Sequence, residues 1–316
     1  MNVKLSLVTA LACVCAIGIA EDKPAKKKIV FIAGNPSHEY GGHEHNGGCM
    51  LLAKRLNESG LPIETAVYDR GWPADPHVFD GAAEVVIYCD GGGGHVIMKH
   101  MDEFNAMIKK GVGIGCIHYA VEVPKGDAGK AITDAIGGYF ETFYSVNPNW
   151  TASFKEIPKH PITRGVKPFS THDEWYYHMR FNSDMAGVTP ILTGVPPDST
   201  RQGKDDAHGG NPDVRAGIGK NVPEHVMWCF ERPNNGGRGF GLTGAHVHWN
   251  WSQDDFRKAV LNAIVWTAGL EVPENGVESK RPDAEELQQN LTGKKKPDNF
   301  DVAKKIQEVQ DRSVTK

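Results

Sequence analysis

The chain has 316 residues, of which 40% are hydrophobic, 9% aromatic and 23% charged, a composition that is globular and neither disordered nor collagen-like. Thirty-five Lys+Arg against 39 Asp+Glu give a net charge of −4, without the basic footprint of a nucleic-acid binder. After residue 20, no apolar run reaches the roughly 18–20 residues needed to span a bilayer.

The first twenty residues stand apart. Lys4 precedes an apolar run from Leu5 to Ile19, and Gly18 and Ala20 are small residues placed as before a cleavage point. This pattern predicts a signal peptide over 1–20 and an exported protein, periplasmic or extracellular. Four cysteines follow it, Cys49, Cys89, Cys116 and Cys229. Three lie inside apolar segments, so they are expected as free, buried thiols and not as a disulfide framework.

Lys26–Lys28 leads into an apolar run at 29–34 that ends in Gly, the pattern of a buried parallel strand. Cys49, Leu51, Leu52 and Leu56 recur at helical spacing, and residues 57–60 stop that helix. Strands are expected at 63–68, 84–89 and 112–117, with a helix over 98–110. This alternation predicts an α/β fold with a doubly wound, mostly parallel sheet flanked by helices. Strands at 150–157, 172–178, 188–192, 225–231 and 239–242, separated by Pro- and Gly-rich loops, form irregular β-rich insertions. Asp254 and Asp255 open a last helix that runs over 256–268 and stops at Gly269. One domain over 27–270 is therefore expected. Residues 271–316 read as a charged tail, either loosely attached or wrapping.

Ligands of such sheets bind at the carboxyl ends of the strands. Five segments at those ends hold nine of the fourteen histidines: 35–45, 90–95, 118–119, 172–178 and 244–249. A strand-to-helix elbow needs small residues two before and two after its tip. Cys116 and Ala120 flank His118 in this way, whereas Ile114 and His118 flank Cys116. His118 thus belongs at the tip, which disfavours a thiol nucleophile. In an extended segment His172, Glu174 and Tyr176 share one face and Asp173 and Trp175 the other, making Glu174 the acidic partner. Asp90, Gly91 and Gly92 are candidates for substrate contact, the glycines as N–H donors to an anionic oxygen. Tyr119, His172, Trp175, His248 and Trp249 complete that expected set, the tryptophans as flat platforms for a sugar ring.

Several of these motifs together resemble the trehalose-utilisation (ThuA-like) family. They are Asn35-Pro36-Ser37-His38, His43-Glu44-His45-Asn46, Gly115-Cys116-Ile117-His118, His172-Asp173-Glu174-Trp175-Tyr176, Gly209-Gly210-Asn211-Pro212 and Gly237 through His246. The likeness covers about residues 27–275 and is greatest to an exported branch in environmental bacteria. It implies a class I glutamine amidotransferase-like fold with the nucleophile cysteine replaced, here by His118, and with His246 where the amidotransferase histidine stands. It also implies carbohydrate catabolism, on 3-keto sugars made by a partner oxidoreductase. The leading expectation is a metal-assisted hydrolase or lyase acting on a glycoside. His118, Glu174 and His246 would be catalytic, and His38, His118 and His246 would hold a divalent zinc, iron, nickel or manganese ion. Two alternatives are a catalytically silent sugar-binding module and a cysteine hydrolase using Cys116 or Cys89.

Overall fold

The computed structural model describes residues 25–313, so the expected signal peptide lies outside the described residues. Apolar residues after Lys28 form strand β1 (Lys27–Ala33), buried from Ile29 onward. Helix α1 (His45–Glu58), β2 (Ile63–Tyr68), β3 (Ala82–Tyr88), α2 (Met101–Lys109), β4 (Gly113–Ile117) and α3 (Asp127–Ile136) follow. The irregular middle holds β5 (Gly138–Tyr139), β6 (Asn149–Phe154), β7 (Phe169–Glu174), β8 (Arg180–Phe181), β9 (Val188–Gly194) and the one-turn helix α4 (Pro212–Arg215). The chain then forms β10 (Glu224–Glu231), β11 (Arg238–Leu242), α5 (Asp254–Thr267) and α6 (Val302–Ser313).

Seven strands make one sheet in the order β2-β1-β3-β4-β11-β10-β9. The first five run parallel; β10 is reversed against β11, and the edge strand β9, antiparallel to β10, runs with the first five again. This is the α/β arrangement expected from the alternation of elements. The order reverses at β1, with β2 on one side and β3 on the other, which opens a crevice at the carboxyl ends of β1 and β3. Leu52 and Leu56 of α1 and Val260 and Ile264 of α5 pack on one face of the sheet, while Phe104 of α2 and Ile132 of α3 pack on the other.

The expected strands at 63–68 and 188–192 fall on β2 and β9. That at 172–178 moves to β7, because the chain leaves the ladder with β6 after Glu174. Helices α3 and α6 are additional. Val302, Ile306 and Val309 space an apolar stripe along α6 that its charged neighbours mask, and Val302 and Val309 are buried. The segment after 271 wraps the domain: Val272, Val277 and Leu287 are buried, and Glu286 pairs with the buried Arg55 of α1 at 2.5 Å.

Glu84 of β3 is wholly buried and neither carboxylate oxygen has a hydrogen-bond partner among the described residues. Burial raises its pKa well above the ordinary 4.5. A carboxyl raised in the fold contributes stability below its unfolded pKa and loses it as pH climbs. Glu84→Met is therefore expected to stabilise the protein by about 1–3 kcal/mol at pH 7, with the gain shrinking towards pH 4; denaturant titrations at the two pH values measure it.

Candidate functional site

β4 delivers His118 directly to the carboxyl edge of the sheet. His118 adopts φ 56° at the start of a single 3₁₀ turn and is fully enclosed. Its Nδ1 lies 2.7 Å from the carbonyl oxygen of Thr243, just beyond β11. A carbonyl only accepts, so Nδ1 carries the proton and Nε2 presents a lone pair. His43, from the loop after β1, is held in the same way: its Nδ1 lies 2.7 Å from Asp90 Oδ1 at the end of β3. The two Nε2 atoms meet at 3.0 Å. Two lone pairs at that distance repel unless a proton or a cation stands between them.

Glu174 and His246 complete the cluster. Glu174 Oε2 is 3.5 Å from His118 Nε2 and 3.2 Å from His246 Nδ1. His246 Nδ1 is buried and, despite that proximity, makes no hydrogen bond. Ligand atoms of His43, His118, Glu174 and His246 all lie within 4.8 Å of one another. Tyr176 Oη donates to Glu174 Oε2 at 3.3 Å and sits 3.2 Å from His118 Nε2. Burial and the neighbouring histidines hold His43 far below its ordinary pKa. For Glu174 burial acts upward, but His118 and His246 outweigh it and hold the carboxyl below the usual carboxylate range. For His246 burial acts downward, and Glu174 and Asp173 outweigh it to raise the imidazole.

The backbone is bent to make this convergence. His38, His43, His118 and Ala245 all have positive φ, a region that non-glycine residues seldom occupy. Asp173, on the buried face of β7, secures the last of these bends. It accepts from the backbone N–H of Ala245 at 2.7 Å and of Val247 at 3.1 Å, and from Asn250 Nδ2 at 2.9 Å. His246 is thereby fixed between two clamped neighbours.

The remaining expected site residues divide. His38, exposed, lies over His43 with ring centroids 3.6 Å apart and belongs to a second group with His43 and Asp90, not to the central four. Asp90 orients His43 and accepts from Ser37 Oγ at 2.7 Å, so it serves the histidine. Gly92 N donates to Glu122 O at 3.1 Å and is not free for an oxyanion. At Gly91 a Cβ would run into the carbonyl oxygens of Tyr119 and Glu122, so its smallness allows the two loops to touch. Tyr119 is half-buried beside them. Trp175 is sealed in the core against Phe154 and Phe256, directly beneath Gly244, and presents no face to a ligand. His248 is buried and donates to Leu287 O at 3.0 Å, away from the cluster. His172 and Trp249 line a cavity beyond His246.

Sequence reasoning passed over His43, Asp173, Tyr176 and the pair Glu122–His208. His43 lies in one of the histidine-bearing segments, but nothing in the sequence ranks it above His38 or His45. Glu122 is buried and both its oxygens lie 3.1 Å from His208 Nε2. Asn147 joins this pair to the cluster, since its N–H donates to His208 O at 3.2 Å and its Nδ2 to Glu174 Oε1 at 3.2 Å.

Residues from the wrapping segment hold the His43 loop. Thr292 donates through N and Oγ1 to Glu44 Oε2 at 2.9 and 2.8 Å, Lys294 bonds the carbonyl oxygens of Gly42 and His43, and its ammonium is 3.7 Å from Glu44 Oε1. Glu44 is fully buried, so Lys294→Met leaves its carboxylate with hydrogen-bond donors but without its cation. It is expected to cost about 1–3 kcal/mol and to speed amide exchange in residues 39–46, read by hydrogen–deuterium exchange.

The sequence profile of one family, described as ThuA, trehalose utilisation, matches residues 37–267. Among solved structures, a ThuA-like protein from Parabacteroides merdae superposes with a TM-score of 0.50 at 14% identity, covering 84% of this chain and 99% of that one. Another, from Bacteroides uniformis, gives 0.49 at 15% identity, with 79% and 93% covered. No curated protein matches the chain.

Proposed function

Because the chain belongs to the ThuA, trehalose-utilisation, family, we propose that it is an exported carbohydrate-processing enzyme whose His43–His118–Glu174–His246 cluster binds a divalent transition metal. The observation that carries this reading is the pair of imidazole lone pairs meeting at 3.0 Å, each oriented by Nδ1–H donation to a fixed acceptor. Histidines that hold a metal are oriented in this way by carboxylates and carbonyls. Two imidazoles on a tetrahedral ion at Zn–N distances near 2.0–2.1 Å stand about 3.3 Å apart, a few tenths from what is found. The Nδ1 of His246, buried beside Glu174 Oε2, and the carboxylate of Glu174 would supply third and fourth ligands of suitable chemistry. This set includes His43 and leaves His38 outside the central four.

When bound, such an ion polarises a carbonyl or acidifies a water. The chain's own residues do the rest. On a 3-keto sugar, the ring carbonyl acidifies the adjacent C–H. A base must take that proton, and an acid must protonate the departing glycosidic oxygen. His208 suits proton transfer: Nε2–H donation to Glu122 leaves Nδ1 to accept or donate, and Glu122 raises its pKa. Tyr176 and Asn147 fix the orientation of Glu174 through its two oxygens. A keto sugar also calls for an upstream oxidoreductase as a pathway partner. Export rests on the pattern of Lys4 and Leu5–Ile19; no described helix is long and apolar enough to cross a membrane.

A thiol mechanism has little support. Cys89 and Cys116 are buried in β3–β4 packing, and burial pushes the Cys89 thiol up to about 12 and that of Cys116 higher still. Elemental analysis of the purified protein is expected to find one transition metal ion per chain, lost in His118→Ala. Asp90→Asn should weaken metal binding by about 10–100-fold. A wild-type protein that stays metal-free after reconstitution would rule this reading out.

A further inference from the structure

Beyond His246 lies a cavity of about 270 Å³ that the metal cluster does not use. A larger cavity, about 620 Å³, opens between Ile108 and Phe230 at the amino ends of the parallel strands, remote from the histidines. The smaller one adjoins the site. Its outer wall is α6, which turns Lys305, Glu308 and Arg312 towards it; these residues are three, four and seven apart and so share a helical face. Its inner wall is aromatic. Tyr40, Trp249 and Phe300 stand with ring centroids 5.2–5.7 Å apart, and His172, Glu39, His246 and Asn250 add polar lining.

This combination has a chemical meaning. At about 270 Å³, just below the roughly 300–1,000 Å³ of ligand sites, the space accommodates one pyranose ring and not a disaccharide. The aromatic wall suits the C–H face of a sugar. The charges alternate in sign: Lys305 Nζ is 3.0 Å from Glu308 Oε2, and Glu39 Oε1 is 3.4 Å from His246 Nε2. Such a lining offers both donors and acceptors but no net field for an anion, which fits hydroxyl groups better than a carboxylate or phosphate.

We propose that this cavity is a subsite for a neutral pyranose ring and that α6 determines which sugar unit sits beside His246. The proposal rests on the reading of the cluster as a carbohydrate-processing centre. Calorimetry on the full chain should show saturable binding of glucose and much weaker binding of glucuronate and glucose 6-phosphate. Lys305→Ala and Arg312→Ala, both on the outer helix, should each weaken that binding about tenfold, the scale of a lost hydrogen bond to a charged group. Metal content is measured on the same samples. Sugar binding without metal would sink the metal centre and leave the subsite standing. Metal without saturable neutral-sugar binding, a preference for the anionic sugars, or full affinity in both variants would overturn the subsite.

Discussion

Two imidazole lone pairs brought to 3.0 Å form an arrangement that a protein does not reach by accident, because each ring must be denied its other tautomer. The acceptors that do so stand at the ends of neighbouring strands: Asp90 follows β3, and Thr243 follows β11, with β4 and His118 between them. The order β3-β4-β11 therefore does more than build a sheet. It sets the tautomers of the two histidines, and through them the side from which a cation can approach. Any slip in the β4–β11 register would move Thr243 O away from His118 and release the ring.

The backbone bears a cost for this. Left-handed conformations at His38, His43, His118 and Ala245 cost of order 1–3 kcal/mol each, and such bends persist only where the surroundings over-determine them. Asp173 does this for Ala245 with charge-assisted bonds in a buried setting, where they are strong. Tyr88 adds a hydroxyl bond to the carbonyl of Ala245 from beneath. At His118 the requirement is room. Cys116 and Ala120 are small enough for the turn, and Gly91 lets the neighbouring loop close on it.

This division of labour decides what was legible in the sequence. The parallel sheet could be read because buried parallel strands are continuous apolar runs, and His118 could be placed at the elbow because the steric rule concerns its immediate neighbours. The alternation along β7 correctly separated Glu174 from Asp173. It did not show that the buried face carries the clamp, since a hydrogen bond to residues 72 positions away leaves no local pattern. Trp175 and His248 illustrate the converse. Their sequence neighbours lie in the site, yet each side chain points into the packing that supports it. His43 stayed unranked because a loop with three histidines in eight positions shows periodicity for none of them.

The segment after residue 271 stayed open between loosely attached and wrapping for a different reason. Hydrophobic patterning weighs apolar side chains, and this segment has few. Its attachment near the site is largely polar: Leu287 O receives His248, Asn290 O receives Asn46, and Thr292 and Lys294 close around Glu44 and the backbone of His43. The bonds to Glu44, His43 and His248 compensate groups that the fold has already buried, so losing one costs more than its net gain suggests. The same polar strap carries α6 to the edge of His246, where its charged face becomes a cavity wall. A segment whose composition reads as solvated is in this way tied to the histidine loop on one side and to the approach to the cluster on the other.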